Sequence, residues 1–146
     1  MNLDEIQRRL EGLGEPGRVL TTLFAHSPLP IQIYRPDGHS LLVNDAFRAL
    51  FGAEPPPGYS VFEDEQAASS GANQIIRRAF EGEAVVVPAM WYDARDLRHV
   101  QVPEARRVAI ESSFVPLRDE EDRVCFVLVL FYDRTEELRA KEQLSE

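Results

Sequence analysis

The sequence predicts an α+β domain with one five-stranded antiparallel sheet, short helices on one face and flanking helices at both ends of the chain. Three observations carry this prediction. A β-hairpin pattern lies at residues 31–43, three strand-like segments follow one another within residues 84–132, and short helical patterns lie between them. Because strands at both ends enclose the helices, we expect the hairpin to join the later strands in one sheet.

The first segment predicts an amphipathic helix within residues 1–19, where Asn2 and Glu5 form a capping-box pattern. Its apolar residues recur with a 3-4-3 spacing on one face, and they are Leu3, Ile6, Leu10 and Leu13. This face either lies on its own domain or contacts a second copy of the chain as a short coiled-coil seam. The pattern alone leaves both interpretations open.

The middle of the chain carries local start and stop signals. Residues 18–26 read as a second helix, and the Arg-Pro-Asp-Gly turn joins the two strands of the hairpin. Asn44 or Asp45 is a natural N-cap for the next helix, which Gly52 ends. A further helix is predicted at 72–80, and the three later strands are predicted at 84–92, 106–117 and 123–132.

Composition restricts the classes of partner. The 146 residues suit one domain with a helical extension, at 44% hydrophobic and 28% charged residues. The net charge of −9 and the scattered basic residues argue against nucleic acid and against an anionic membrane surface. The single cysteine, Cys125, excludes an internal disulfide, and neither a signal peptide nor a membrane span is visible, so we expect a cytoplasmic protein.

Four motifs in this order resemble the PAS family of sensor domains. They are the hairpin around its Asp-Gly turn, the Asn-Asp-Ala-Phe helix start, the helix that leads through Phe80 into the last three strands, and the closing triplet Asp133-Arg134-Thr135. The match covers residues 20–135. The resemblance implies a flanking helix at 1–19, a sensor domain at 20–135 and the start of a signalling helix at 136–146.

The resemblance also implies that the last strand, which is apolar from Val124 to Tyr132, lies near the sheet centre and runs into a helix that leaves the domain. Asp133 and Thr135 would then hold the signal junction, and Thr135 suits the N-cap of a helix that begins at Glu136. That helix is too polar to be stable alone, so we expect it to pair with its copy or with a following domain. A frayed, solvated tail is the alternative.

Cofactor-binding members of the family need particular residues. A haem would need a histidine on the helix before the last three strands, but His26, His39 and His99 lie elsewhere. A covalently bound flavin would need a cysteine near the middle helices, whereas Cys125 lies on the last strand. We therefore expect neither cofactor, and the spacing of histidines and cysteines predicts no metal site.

A small-molecule pocket between the sheet and the middle helices is a further expectation. Its candidate residues are Phe62, Ile76, Arg77, Phe80, Met90, Tyr92, Ile110, Ser112 and Phe114. The alternative is that these residues only pack a core. The acidic run Glu63-Asp64-Glu65 reads as a solvated loop.

The sequence thus favours a cytoplasmic sensor or relay module that passes a conformational change through its C-terminal helix to an output domain. The resemblance implies a parent such as a sensor histidine kinase of a two-component system, from which a chain ending within a helix would be an excised input domain. A ligand-blind dimerisation module is the second hypothesis. A small α+β enzyme using Tyr92, His99 and an acid is the third, although no nucleophile–base pair is readable.

Overall fold

Five strands form one antiparallel sheet in the computed structural model, which describes residues 1–97 and 103–145. The strands are β1 (Ile31–Tyr34), β2 (Ser40–Val43), β3 (Val85–Tyr92), β4 (Val108–Arg118) and β5 (Val124–Asp133). Their order across the sheet is β2-β1-β5-β4-β3, so the last strand lies at the centre. The α+β prediction and the central position of the last strand are confirmed.

Six α-helices accompany the sheet in the described part of the chain. They are α1 (Leu3–Leu10), α2 (Pro16–His26), α3 (Asp45–Phe51), α4 (Glu65–Ser69), α5 (Ala72–Phe80) and α6 (Thr135–Ser145). Helices α3, α4 and α5 lie in the middle, and α5 packs against β3, β4 and β5. Among the described residues, none of these helices combines the length and the apolar character that crossing a membrane requires.

The predicted local signals around α3 are present in the structure. The Asn44 side chain accepts a hydrogen bond from the Phe47 N–H at 3.1 Å, which is N-cap geometry. Gly52 ends the helix in the left-handed region, at φ 81°, and its N–H bonds the Arg48 carbonyl. A side chain at Gly52 would also collide with the Glu104 carbonyl, so both conformation and space favour glycine.

The central strand β5 is buried on one face only. Val127 and Val129 are 0% exposed and Phe131 is buried, whereas Phe126 on the opposite face is 37% exposed. No residue of the flanking helix α1 is buried. The apolar stripe of α1 therefore lies largely in solvent, with Leu3 at 82% exposure.

The junction between β5 and α6 is built differently from the prediction for Thr135. Helix α6 begins at Thr135, whose N–H donates to Asp133 Oδ1 at 3.0 Å. The Thr135 hydroxyl donates to the same oxygen at 2.5 Å and accepts the Ala109 N–H of β4 at 3.0 Å. Thr135 therefore does not cap its own helix, because its hydroxyl is used to tie the helix start to β4.

Candidate functional site

A cavity of about 80 Å³ lies between the inner face of the sheet and the middle helices. Aromatic rings form much of its wall, and those of Phe47, Phe51 and Phe131 lie in mutual contact with centroids 4.4–5.6 Å apart. The loop after α3, at residues 53–56, lies at one side together with Leu97 and Ala105. This volume exceeds what a single water needs, so the cavity has room for a small molecule.

A bulge in β3 directs side chains into this cavity. Val87 pairs with Ser112, and Met90 pairs with Ile110, so three steps along β3 match two along β4. The extra residue falls at Pro88-Ala89, and proline is tolerated at bulges because it has no N–H to donate to the ladder. The bulge changes the inward positions from 85 and 87 to 90 and 92, which brings Tyr92 inside.

The polar part of the wall is centred on the carboxylate of Asp64, which is 3% exposed. The hydroxyls of Tyr59 and Tyr92 both donate to Asp64 Oδ2, each at 2.5 Å. The other oxygen, Oδ1, accepts the N–H groups of Gln66 and Ala67 and so caps α4. These four donors therefore stabilise the buried carboxylate.

The three tyrosines of the wall remain protonated over the physiological range. Burial, and then the charge of Asp64, raise the pKa of Tyr34 and of Tyr92 well above that of a free phenol. Burial is also the largest cause that raises the pKa of Tyr59, followed by its two tyrosine neighbours. Each phenol is thus a hydrogen-bond donor whose proton stays in place.

A second polar group in the cavity wall comes from β1. The Tyr34 hydroxyl donates to Gln32 Oε1 at 2.9 Å, and the Gln32 amide donates to the Ser40 hydroxyl at 3.0 Å. Ser112 of β4 also faces the cavity and is 4% exposed, and its hydroxyl has no hydrogen-bond partner within residues 1–97 and 103–145. Ser112 is therefore free to bond a guest molecule.

The end of β3 is attached to elements on both sides of the sheet. On the inner side, the Gln66 side-chain amide donates to the Asp93 carbonyl at 2.6 Å and accepts the Asp93 N–H at 2.9 Å. On the outer side, the Trp91 indole N–H donates to Glu142 of α6 at 2.8 Å. The guanidinium of Arg107 stacks over the Trp91 ring at 3.9 Å. Neighbouring residues of β3 thus contact the cavity and the C-terminal helix.

Six of the nine predicted pocket residues line this cavity: Ile76, Met90, Tyr92, Ile110, Ser112 and Phe114. The structure places the other three outside it. Phe62 packs edge-to-face on Phe80 with centroids 4.7 Å apart, over the space left by Gly38, and Arg77 covers the Phe62 ring at 4.7 Å. Phe80 also lies 6.0 Å from the ring of Tyr34, so these three residues form a cluster that packs beside the cavity rather than in its wall. Whether the cavity holds a ligand stays a prediction.

The sequence analysis missed the most polar residues of the wall. It assigned Asp64 to a solvated loop, which is wrong, because two phenols and two backbone N–H groups hold this carboxylate inside. An available signal was the Asp-Glu-Gln start of α4, which is typical of an N-cap. Tyr34 and Tyr59 had no comparable signal. His99, a candidate in the enzyme hypothesis, lies outside the described residues.

Comparison with known proteins gives a family match and a set of structural neighbours. The family model of the PAS fold matches residues 24–139. No curated protein sequence matches the chain significantly. Many solved structures are similar to this chain.

An RNA-binding light-oxygen-voltage receptor is similar over 92% of this chain and 38% of its own, with 21% identity and a TM-score of 0.67. A domain of a sensory box sensor histidine kinase/response regulator from Geobacter sulfurreducens is similar over 85% of this chain and 99% of its own, with 20% identity and a TM-score of 0.61. The phage VqmA–DPO complex is similar over 88% of this chain and 57% of its own, with 20% identity and a TM-score of 0.53. At these identities the likeness shows the fold alone.

Proposed function

Because the chain belongs to the PAS family, a sensory and non-catalytic fold, we propose that it senses a small molecule in the cavity around Asp64 and relays binding through α6. This segment is not an enzyme. In the proposal, a ligand changes the position of the end of β3, and α6 carries that change to an output domain of a longer cytoplasmic protein.

The observation that carries the proposal is the position of Tyr92 and Trp91. Tyr92 bonds Asp64 inside the cavity at 2.5 Å, and the adjacent Trp91 bonds Glu142 of α6 on the opposite face at 2.8 Å. A ligand that binds at Asp64 would compete for the Tyr92 hydroxyl and move this part of β3. The Trp91–Glu142 contact would respond because the two residues share one peptide unit.

The second link between sheet and helix is the Thr135 joint. Besides the Ala109–Thr135 hydrogen bond, the Arg134 N–H donates to the Ala109 carbonyl at 2.8 Å. Ala109 is 0% exposed and pairs with Trp91 across the sheet. Both attachments of α6 therefore meet at one cross-strand pair, which supports a role for Asp133 and Thr135 as the signal junction.

The exposure of α6 is the basis for proposing its partner. The helix has no buried residue and Leu144 is 88% exposed, so beyond its attachments at Trp91 and Ala109 its apolar residues are left for a partner to cover. We propose a second copy of the chain, together with a following output domain such as a histidine kinase. The sensor histidine kinase/response regulator among the structural neighbours supports that choice, as the VqmA–DPO complex supports a ligand. The acidic net charge argues against nucleic acid as the partner.

We predict that gently purified protein carries a bound small molecule. Native mass spectrometry should show a mass excess that disappears under denaturing conditions, with the chain present as a dimer. The physical reason is that a ligand that binds only the folded state stabilises it, and this cavity offers apolar rings and the unpaired Ser112 hydroxyl to such a ligand. A non-volatile adduct that survives denaturation would contradict reversible sensing, as would the absence of any excess in protein purified from several growth conditions.

The same spectra test the second candidate function, a ligand-blind dimerisation module. Exposed leucines near the N-terminus favour this candidate: Leu3 and Leu10 of α1 and Leu13, which lies beyond the end of α1, are 82%, 52% and 61% exposed. A dimer without mass excess would support it, and a monomer at micromolar concentration would count against both the dimer and these leucines as its contact. The expectation that neither haem nor covalently bound flavin is used stays a prediction, which the same masses check.

We predict that Thr135→Val loosens α6 without unfolding the sheet. Valine keeps the shape of threonine but leaves the buried Ala109 N–H without its acceptor, which costs about 1 kcal/mol. Hydrogen exchange of the α6 amides should accelerate by roughly fivefold, because that energy no longer opposes opening of the helix. Amides of β5 should keep their wild-type rates.

Thr135→Ser is the matched control, since serine restores the hydroxyl and should restore slow exchange in α6. Equal exchange in wild type, Val and Ser variants would show that the Ala109–Thr135 bond does not hold the helix. Loss of protection throughout the sheet would instead assign Thr135 to the stability of the whole domain.

A further inference from the structure

We propose that the cavity selects a small molecule with an apolar body and a protonated amine, which binds beside Asp64. This inference rests on the proposed sensing function and specifies the chemistry of the ligand. It follows from three properties of the wall: its charge, the direction of its hydrogen bonds and its size.

The charge of the wall is negative. Among the described residues that line the cavity, the charged ones are Asp64 and Glu54, and none is Lys, Arg or His. Glu54 lies at the rim and pairs with Arg48 at 2.6 Å. Asp64 has no cationic side chain within ion-pair distance in the described part of the chain. A buried carboxylate without a counter-ion attracts a cation and repels a carboxylate ligand, more strongly than in water.

The hydrogen bonds of the wall also favour a ligand that carries an amine. The phenol hydrogens of Tyr59 and Tyr92 are directed at Asp64, and that of Tyr34 is directed at Gln32. A phenol whose hydrogen is already directed at an acceptor still has oxygen lone pairs, so toward a ligand these three hydroxyls act only as acceptors. A ligand must therefore supply hydrogen-bond donors, and the negative charge of the wall favours the N–H groups of a cation over a neutral O–H. The Ser112 hydroxyl adds one group that is able to accept as well as donate.

The apolar part of the wall sets the size of the ligand. Phe47, Phe51, Phe114 and Phe131 line a cavity of about 80 Å³ beside the polar group. Aromatic walls favour a flat ring that stacks or meets their edges. We expect one ring or a short branched chain, with the ammonium group at the Asp64 end. Benzylamine combines one ring with an ammonium group and is therefore a suitable probe.

The test compares three probes that share one ring and differ at the polar end: benzylamine, benzyl alcohol and benzoate. The chain contains two methionines, and Met90 lines the cavity whereas Met1 is 76% exposed at the N-terminus. Protein labelled with ¹³C in the methionine methyl groups gives one reporter inside and one control outside. At neutral pH, benzylamine should shift the Met90 signal and leave Met1 unchanged. We expect its affinity to be at least about tenfold above that of benzyl alcohol, with no shift from benzoate.

Asp64→Asn should abolish the preference for benzylamine over benzyl alcohol, because it removes the charge and keeps the side-chain volume. Glu54→Gln is the matched control at the rim and should leave the preference intact. If Asp64→Asn does not fold, the ranking of the three probes on the wild-type chain still shows whether the cavity prefers an amine. Benzoate or benzyl alcohol binding as tightly as benzylamine would overturn the inference but leave the sensing function standing. If no probe shifts the Met90 signal, the inference of an amine ligand fails. The mass excess in native mass spectrometry then tests separately whether the domain binds a small molecule.

Discussion

Asp64→Ala should lower the free energy of unfolding by about 3 kcal/mol, because the substitution leaves two buried phenols and a helix N-terminus without an acceptor. The Tyr59 and Tyr92 hydroxyls would each lose their hydrogen-bond partner inside the domain. The substitution also removes a buried charge, which is itself costly to bury. The expected loss of stability is therefore smaller than the sum of two lost phenol hydrogen bonds and one lost helix cap. Urea unfolding followed by circular dichroism measures the shift in midpoint.

Two neighbouring substitutions make that measurement specific. Asp64→Asn retains an oxygen that caps α4 and should cost less than Asp64→Ala, since asparagine is as good an N-cap as aspartate. Glu63→Ala changes the adjacent, exposed acid and should stay within about 0.5 kcal/mol of wild type. An Asp64→Ala midpoint as close to wild type as that of Glu63→Ala would show that the phenols find other acceptors.

The elements that sequence analysis predicted well are those whose signals are local. The Asp-Gly turn after Tyr34, the Asn44 cap and the Gly52 stop each act within a few residues, and the structure confirms the strand and helix that they bound. The central place of β5 came from the family resemblance together with its apolar run. Helix α6 begins at Thr135, one residue before the predicted start, and the Thr135 hydroxyl accepts the Ala109 N–H of β4 instead of capping the helix.

The polar centre of the cavity was not predictable in the same way. Tyr34, Tyr59 and Tyr92 come from two strands and a loop, and only the tertiary fold brings them together around Asp64. An acidic residue between two other acids is most often solvated, so its local pattern gave the wrong interpretation. Phe62 was wrongly predicted to line the cavity because it is aromatic. Its ring lies instead in the space that Gly38 leaves by having no side chain.

Asn44→Ala should be at least as damaging as Asp64→Ala, with an expected loss of about 3–4 kcal/mol in the free energy of unfolding. The Asn44 side chain, which is 2% exposed, joins three segments. Its oxygen accepts the Ile31 N–H at 2.9 Å and the Phe47 N–H at 3.1 Å. Its amide donates to the carbonyls of Phe24 and Leu29, both at 3.1 Å.

Alanine would remove the cap of α3 and also the bridge between the end of α2, the start of β1 and α3. Asn44→Ser separates these two effects, because serine is a good N-cap but is too short and lacks the two donors for the α2 side. We expect serine to recover only about 1 kcal/mol of the loss, the usual value of a cap. Full recovery in the Ser variant, measured by urea unfolding, would mean that the bonds to Phe24 and Leu29 contribute nothing. Partial recovery would mean that this asparagine fixes where the helix before the sheet meets the sheet, a position that the Asn-x-x-Phe pattern alone does not reveal.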